Sequence, residues 1–439
     1  MSWGLLIIIL YPIVHELIFF ACSKMSVKQI QKDVKRISRE IKGKVPIVIS
    51  LSNKKFMISN YDIGFFGLHK CYLFNTEKYS KIFRFISKSK ALNKNEDIIS
   101  PGVLPKMYLY SSMSICNIIL LNYSFYLSKI FEMPMYLIPA WVVRWKILNP
   151  MLYSWYGTVH AAVAAMESGA GINLSGGYHH ASRNSGRALC AYPDISIAIN
   201  TVRNCYKIKR IMVIDIDAHQ SIGVLKDFGD DEDVYIIDWY NPDIHPQHQK
   251  LKSKIDKEIL LDKTMSNEFF YKKLFEIKTC FEKFKPEFIV YIAGTDILEG
   301  DKWGKLNFSS ECIVKRDKFV MRLATENKIP ICMVLSGGFK ADDYKVIGTS
   351  IVNLLPLIKS FSGSLPTENN TTNAVNLTEN YATPDIEGHD YADHTIVEKN
   401  NEMNDHQSDF RSDINASYMS ENVDVIKENI KISNKYYRR

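Results

Sequence analysis

No two of the eight cysteines in this 439-residue chain (Cys22, Cys71, Cys116, Cys190, Cys205, Cys280, Cys312 and Cys332) are spaced as C-x-x-C. That lack argues against a disulfide framework and a cysteine-rich zinc site, and it points to a reducing compartment. A metal bound here would need His, Asp or Glu as ligands. The chain also has no basic motif interleaved with aromatics and no zinc-finger spacing, so direct nucleic-acid binding is not expected despite a formal net charge of +7. Hydrophobic residues make up 46% and charged residues 23%, close to a globular average, so most of the chain can bury a core. At roughly 100–200 residues per domain, the length fits two ordinary domains or one large domain with appendages.

Residues 1–43 read as an apolar segment followed by a basic helix. Leu5 to Cys22 is almost wholly apolar, broken by Pro12, His15 and Glu16, and is followed by Lys24, Lys28, Lys32, Lys35 and Arg36. Its length would allow membrane association through residues 5–22. Against this, a positive n-region is missing, Glu16 is costly at mid-membrane, and Met25 offers an alternative start. A buried N-terminus is the competing expectation.

From residue 44 the chain alternates strand-forming and helical stretches. Lys44–Ser50, Ile172–Leu174, Arg210–Asp215, Val234–Trp239, Glu287–Ala293 and Ile329–Leu335 are dense in Val and Ile, several as continuous apolar runs. Such runs predict parallel strands buried on both faces. Helices are expected over Gly157–Gly169, Asn267–Lys283 and Ser309–Asn327. The fold class is therefore α/β, a single parallel sheet flanked by helices on both faces. A domain is expected over 44–358, followed by a disordered Asn/Ser-rich tail over 359–439. Residues 361–439 carry 14 acidic and 7 basic residues, so a basic body precedes an acidic tail.

The polar residues of interest follow these strands. Ser175-Gly176-Gly177-Tyr178-His179-His180 presents two adjacent imidazoles after a glycine turn, a pair suited to proton transfer. In Asp215-Ile216-Asp217-Ala218-His219, alternation puts Asp215, Asp217 and His219 on one side, where Asp217 and His219 are candidates to chelate one cation. Asp215 could orient a neighbouring imidazole. Asp296 falls at the same sheet edge after the strand at 287, and Gly337-Gly338-Phe339 ends the strand at 329. Ligands of open α/β sheets gather at the carboxyl ends of the strands. One imidazole and two carboxylates leave an open coordination position, as in catalytic zinc sites. Taken singly, each piece also has a bland reading as a cap, a turn or a core pair.

Together these residues resemble zinc-dependent histone deacetylases, most closely the class IV (eleven-type) branch. The resemblance rests on Gly-Gly-Tyr-His-His-Ala-Ser at 176–182, Cys-Ala-Tyr-Pro-Asp at 190–194, Ile-Asp-Ile-Asp-Ala-His-Gln at 214–220, Tyr-Ile-Ala-Gly-Thr-Asp-Ile-Leu-Glu-Gly-Asp at 291–301 and Leu-Ser-Gly-Gly at 335–338. The stretches Phe65–Phe74 and Tyr240–Pro246 add to it. It implies the arginase/deacetylase fold and metal-assisted hydrolysis of acyl-lysine amides. By position it implies Asp217, His219 and Asp296 as zinc ligands, His180 as acid/base, His179 as its neighbour, and Asp215 as the partner of His179. It further implies a substrate channel at Gly177, Tyr178, Leu189, His245, Gly337 and Gly338. The expected partners are acylated lysines of proteins, histone tails among them, and chromatin complexes. The expected location is nucleus or cytoplasm.

Three positions depart from the family pattern. Phe339 stands where most members have a tyrosine that donates to the oxyanion. Ile222 stands where Asp or Asn would bond the second histidine, and Leu189 where an aromatic residue usually walls the channel. These departures raise the alternative of a catalytically impaired, zinc-bound acyl-lysine reader or scaffold. An arginase-like two-metal hydrolase is disfavoured, because Ser221 occupies the position of the extra carboxylate that family needs.

Overall fold

The apolar runs at 211, 288 and 331 form the centre of a sheet, because each buries side chains on both faces. Ile211 and Val213 enter the core on one side, and Met212 and Ile214 the core on the other. Phe288, Val290 and Ile292 alternate in the same way with Ile289 and Tyr291. The computed structural model describes residues 26–41, 47–53, 58–63, 77–90, 92–93 and 97–362, with Val14 and Lys44 besides. The segment Leu5–Cys22, apart from Val14, the stretch Phe65–Phe74 and the tail beyond Ser362 lie outside the described residues.

The strands are β1 Ile47–Val48, β2 Leu51–Asn53, β3 Ile58–Ser59, β4 Ile98–Ile99, β5 Ala170–Asn173, β6 Ile211–Asp215, β7 Val234–Tyr240, β8 Lys257–Leu260, β9 Phe288–Ile292 and β10 Ile331–Val334. The main helices are α1 Ser26–Ile41, α2 Lys78–Ile86, α3 Asn149–Ser168, α4 Asp194–Tyr206, α5 Ile222–Phe228, α6 Asn267–Phe284, α7 Ser310–Glu326 and α8 Asp343–Ser362. Short helical turns fill residues 106–148. Eight strands form one sheet in the order β4-β1-β5-β10-β9-β6-β7-β8, every pair parallel. The antiparallel pair β2–β3 stands apart from it.

The expected single parallel sheet is thus present, with element ends shifted. Helix α3 begins at Asn149 rather than Gly157, with Pro150 in the first turn, where a missing N–H costs nothing. Helix α8 runs to Ser362, past the expected domain end at 358, because Ile358 and Phe361 are buried in the core. Strand β8 escaped the sequence reading because it is a short edge strand with only Ile259 buried.

Helix α1 belongs to this domain. Ile30, Val34, Ile37 and Ile41 form its buried stripe. Asp33 accepts hydrogen bonds from the hydroxyls of Tyr108 (3.0 Å) and Tyr156 (2.5 Å), tying the helix to α3. One turn further along α3, buried His160 lies with Nδ1 2.9 Å from the Tyr156 carbonyl oxygen, and burial pushes its pKa down to about 4. Among the described residues no helix is long and apolar enough to cross a membrane.

Candidate metal and catalytic centre

Strands β5, β10, β9 and β6 are consecutive neighbours and all parallel, so the loops leaving their carboxyl ends converge at one edge. The loop after β5 carries His179 and His180, that after β6 carries Asp217 and His219, that after β9 carries Asp296, and that after β10 carries Gly337. The topology therefore assembles residues spread over about 160 positions of sequence.

Each loop is held by specific bonds. Gly176 and Gly177 adopt positive φ (76° and 81°). A Cβ at Gly176 would lie 2.5 Å from Thr158 Oγ1 and 2.7 Å from Asp194 Oδ2, so only glycine fits there. Buried Asp194, at the start of α4, accepts from the backbone N–H groups of Gly177 (2.8 Å) and Tyr178 (2.7 Å) and fixes the turn that presents the histidines. Asp217 accepts from the His219 N–H at 3.0 Å and, through Oδ2, from the Gly337 N–H at 2.8 Å. Asp296 accepts from the Ala218 N–H at 2.9 Å.

Asp217, His219 and Asp296 form one buried cluster whose donor atoms all lie within 4.8 Å of one another. His219 Nδ1 is 3.0 Å from Asp217 Oδ1 and 2.8 Å from Asp296 Oδ2. One ring N–H cannot serve both carboxylates, and Asp296 Oδ2 has no hydrogen-bond donor. Burial and the adjacent Asp217 push the Asp296 carboxyl up to about 7. A divalent cation would relieve both the unpaired oxygen and the repulsion, so these residues fit a metal of the His-plus-carboxylate kind. Gly337 keeps this space clear, since a Cβ there would sit 2.5 Å from Asp296 Oδ2 and 2.6 Å from Asp217 Oδ2.

The histidine pair lies beside the cluster. Its rings are 4.0 Å apart between centroids, and His180 is 5.9 Å from the ring of His219. His179 Nδ1 is 2.6 Å from Asp215 Oδ2, and His179 Nε2 is 3.7 Å from Asp217 Oδ1. Burial opposes a charge on His179, but Asp215 and Asp217 outweigh it and raise its pKa to about 9. For His180, burial and then the neighbouring His179 and His219 hold the ring far below its usual range. His180 Nδ1 is buried without a hydrogen-bond partner, and Ile222 is fully buried and carries no polar side-chain atom.

The expected channel residues are more scattered. Gly177 and Gly337 lie at the centre, and Gly338 follows in the same loop. Tyr178 is half-buried and packs against the hydrophobic core, and burial pushes its hydroxyl pKa well up. Leu189 adopts φ 67° and donates its N–H to Ile130 at 2.9 Å. His245 is exposed at the surface, with Nε2 3.6 Å from Glu132 Oε1. Phe339 is half-buried against Trp303, ring centroids 6.2 Å apart.

Two residues of the centre carry no sequence expectation. Asp238 sits opposite Asp215 in the β6–β7 register and accepts from the Ser221 N–H at 3.0 Å; burial and Asp215 push its carboxyl well up. A lone carboxylate inside an otherwise apolar strand was its available signal. Lys78 is a buried lysine whose ammonium reaches the Gly337–Gly338 loop, and no spacing in the sequence marks it.

The histone deacetylase domain profile matches residues 139–355. The chain is 35% identical to histone deacetylase 2 of Arabidopsis thaliana over 322 residues, 73% of this chain and 83% of that protein. It is 29% identical to histone deacetylase 6 of Arabidopsis thaliana over 194 residues, 42% of this chain and 40% of that one. It is 24% identical to polyamine deacetylase HDAC10 of Mus musculus over 177 residues, 37% of this chain and 26% of that one. The single parallel sheet is the arginase/deacetylase fold. With a match spanning 83% of a relative's length and the centre built at the carboxyl edge of that sheet, the chain belongs to the histone deacetylase family.

Proposed function

We propose that this protein is a zinc-dependent lysine deacylase, hydrolysing acyl-lysine amides of histones or other proteins in the nucleus or cytoplasm, with acetyl-lysine turnover weakened by Phe339. The observation that carries the reading is the buried Asp217–His219–Asp296 cluster with the His179–His180 pair beside it. Asp217, His219 and Asp296 would hold the zinc. When bound, zinc supplies Lewis acidity to an amide carbonyl and makes water more acidic.

The chain's own residues do the rest. His180, which burial keeps neutral, can accept a proton from water. His179, oriented by Asp215, holds a proton at the same edge and can deliver it to the departing lysine amine. The Gly337 N–H fixes Asp217 from behind. At position 339 a phenyl ring has no hydroxyl to donate to the developing oxyanion, a loss typically worth ~10²–10³ in turnover.

A second reading is favoured by the unpartnered Nδ1 of His180: a pocket that binds acyl-lysine without turning it over. Zinc-loaded protein tested on acetyl-, trifluoroacetyl- and long-chain acyl-lysine peptides separates the two. Product release that a chelator abolishes supports the deacylase. Tight binding of peptide or hydroxamate with no product over hours supports the reader, and neither binding nor turnover contradicts both.

A further inference from the structure

Lys78 begins α2, and its side chain is only 6% exposed. Burying an ammonium is costly unless it is paired and hydrogen-bonded. Its Nζ donates to the carbonyl oxygens of Gly338 (3.2 Å) and Gly337 (3.4 Å) and lies 3.4 Å from Oδ2 of Asp343, the first residue of α8. Burial alone would lower the lysine pKa, but the Asp343 carboxylate outweighs it and Lys78 stays charged.

The opposite side of the same peptide is held by an anion. The Phe339 N–H donates to Asp301 Oδ2 at 2.8 Å, while Oδ1 of Asp301 accepts from the N–H groups of Trp303 (2.9 Å) and Gly304 (3.1 Å). The peptide unit joining Gly338 to Phe339 thus has its carbonyl on a buried cation and its amide on a buried carboxylate. Gly337 is tied on the other flank, its oxygen accepting from the Thr295 N–H (2.9 Å) and Oγ1 (3.1 Å). Gly338, at φ 135°, makes room for the clamp, since a Cβ there would lie 2.7 Å from Lys78 Nζ and 2.8 Å from Asp343 Oδ2. Two successive glycines would otherwise leave this loop conformationally free.

We propose that Lys78 is a positioning residue for the catalytic centre: with Asp301 and Asp343 it clamps Gly337-Gly338-Phe339, setting the direction of side chain 339 and the approach of Gly337 to Asp217. The catalytic half of this proposal rests on the deacylase reading; the clamp itself does not. Lys78→Met keeps the length of the side chain and removes its charge. Because it strands the Asp343 carboxylate, the neutral pair Lys78→Met with Asp343→Asn serves as the second variant.

Hydrogen exchange by mass spectrometry on the full chain tests the clamp. Both variants should exchange the amides of residues 336–341 about tenfold or more faster than wild type, with peptides from β6 and β9 unchanged. Unchanged exchange at 336–341, or acceleration spread evenly over the sheet, overturns the proposal. In active protein the neutral pair should lower kcat about tenfold with KM within about twofold, and an unchanged kcat overturns the catalytic half. If even wild type hydrolyses no acyl-lysine peptide, the deacylase reading fails, and the exchange result still decides the clamp.

Discussion

Replacing Phe339 with tyrosine adds one hydroxyl at the far end of a ring already in place. The Phe339 N–H is fixed by Asp301 and the ring packs against Trp303 at 62°, so the substitution leaves these backbone and aromatic contacts standing. One restored oxyanion donor is worth ~10²–10³ in turnover, about 2.7–4 kcal/mol. The full value requires the other catalytic groups to be well oriented, and His180 Nδ1 has no partner to hold its ring or tautomer. We therefore expect less than that full value, a gain of roughly tenfold or more in kcat/KM. Adding Ile222→Asn, at the position where the family resemblance implies a partner for the second histidine, should raise it further. The assay is steady-state hydrolysis of acetyl-lysine and long-chain acyl-lysine peptides by metal-loaded wild type and variants, with matched thermal melts confirming the fold. A Phe339→Tyr rate within about twofold of wild type on every peptide would refute the claim that this position limits catalysis.

Gly337→Ala places a methyl group against the Asp296 and Asp217 oxygens and should weaken metal binding about 10–100-fold, measured by calorimetric titration; unchanged affinity would contradict the site's geometry. Asp215→Asn removes the carboxylate partner of His179 and should lower kcat by ~10² or more with metal stoichiometry intact, whereas an unchanged rate would remove His179 from the mechanism. His160 predicts a pH dependence of folding. Its folded pKa, about 4, lies below the unfolded value of about 6.5, so the unfolded chain binds the proton more readily. Its contribution, on the order of 3 kcal/mol, is present above pH 6.5 and lost as pH falls toward 4. Urea denaturation of wild type and His160→Gln at pH 7 and pH 4.5 checks this, and an equal loss in both proteins would exclude His160 as the source.

The strands at 211, 288 and 331 were legible because each is a continuous apolar run, and the chemistry-bearing residues were legible because they follow such runs directly. What stayed hidden lacks that periodicity. Strands β4 and β8 are edge strands, the first of two residues and the second half exposed. The short helices between 106 and 148 bury only parts of their faces. Of the residues expected along a channel, Tyr178 is half-buried against the core, and His245 is exposed with Nε2 3.6 Å from Glu132 Oε1. Lys78 was beyond reach from sequence, because its role arises from a contact with residues about 260 positions away.

Metal-stripped protein titrated with zinc while acyl-lysine hydrolysis is followed tests the central claim most directly, with Asp296→Asn run alongside. The account predicts no hydrolysis without metal, a rate that rises and saturates near about one zinc per chain, and none in Asp296→Asn. Hydrolysis that survives chelation or the Asp296→Asn substitution, or no hydrolysis of any acyl-lysine peptide at any zinc ratio, would contradict it.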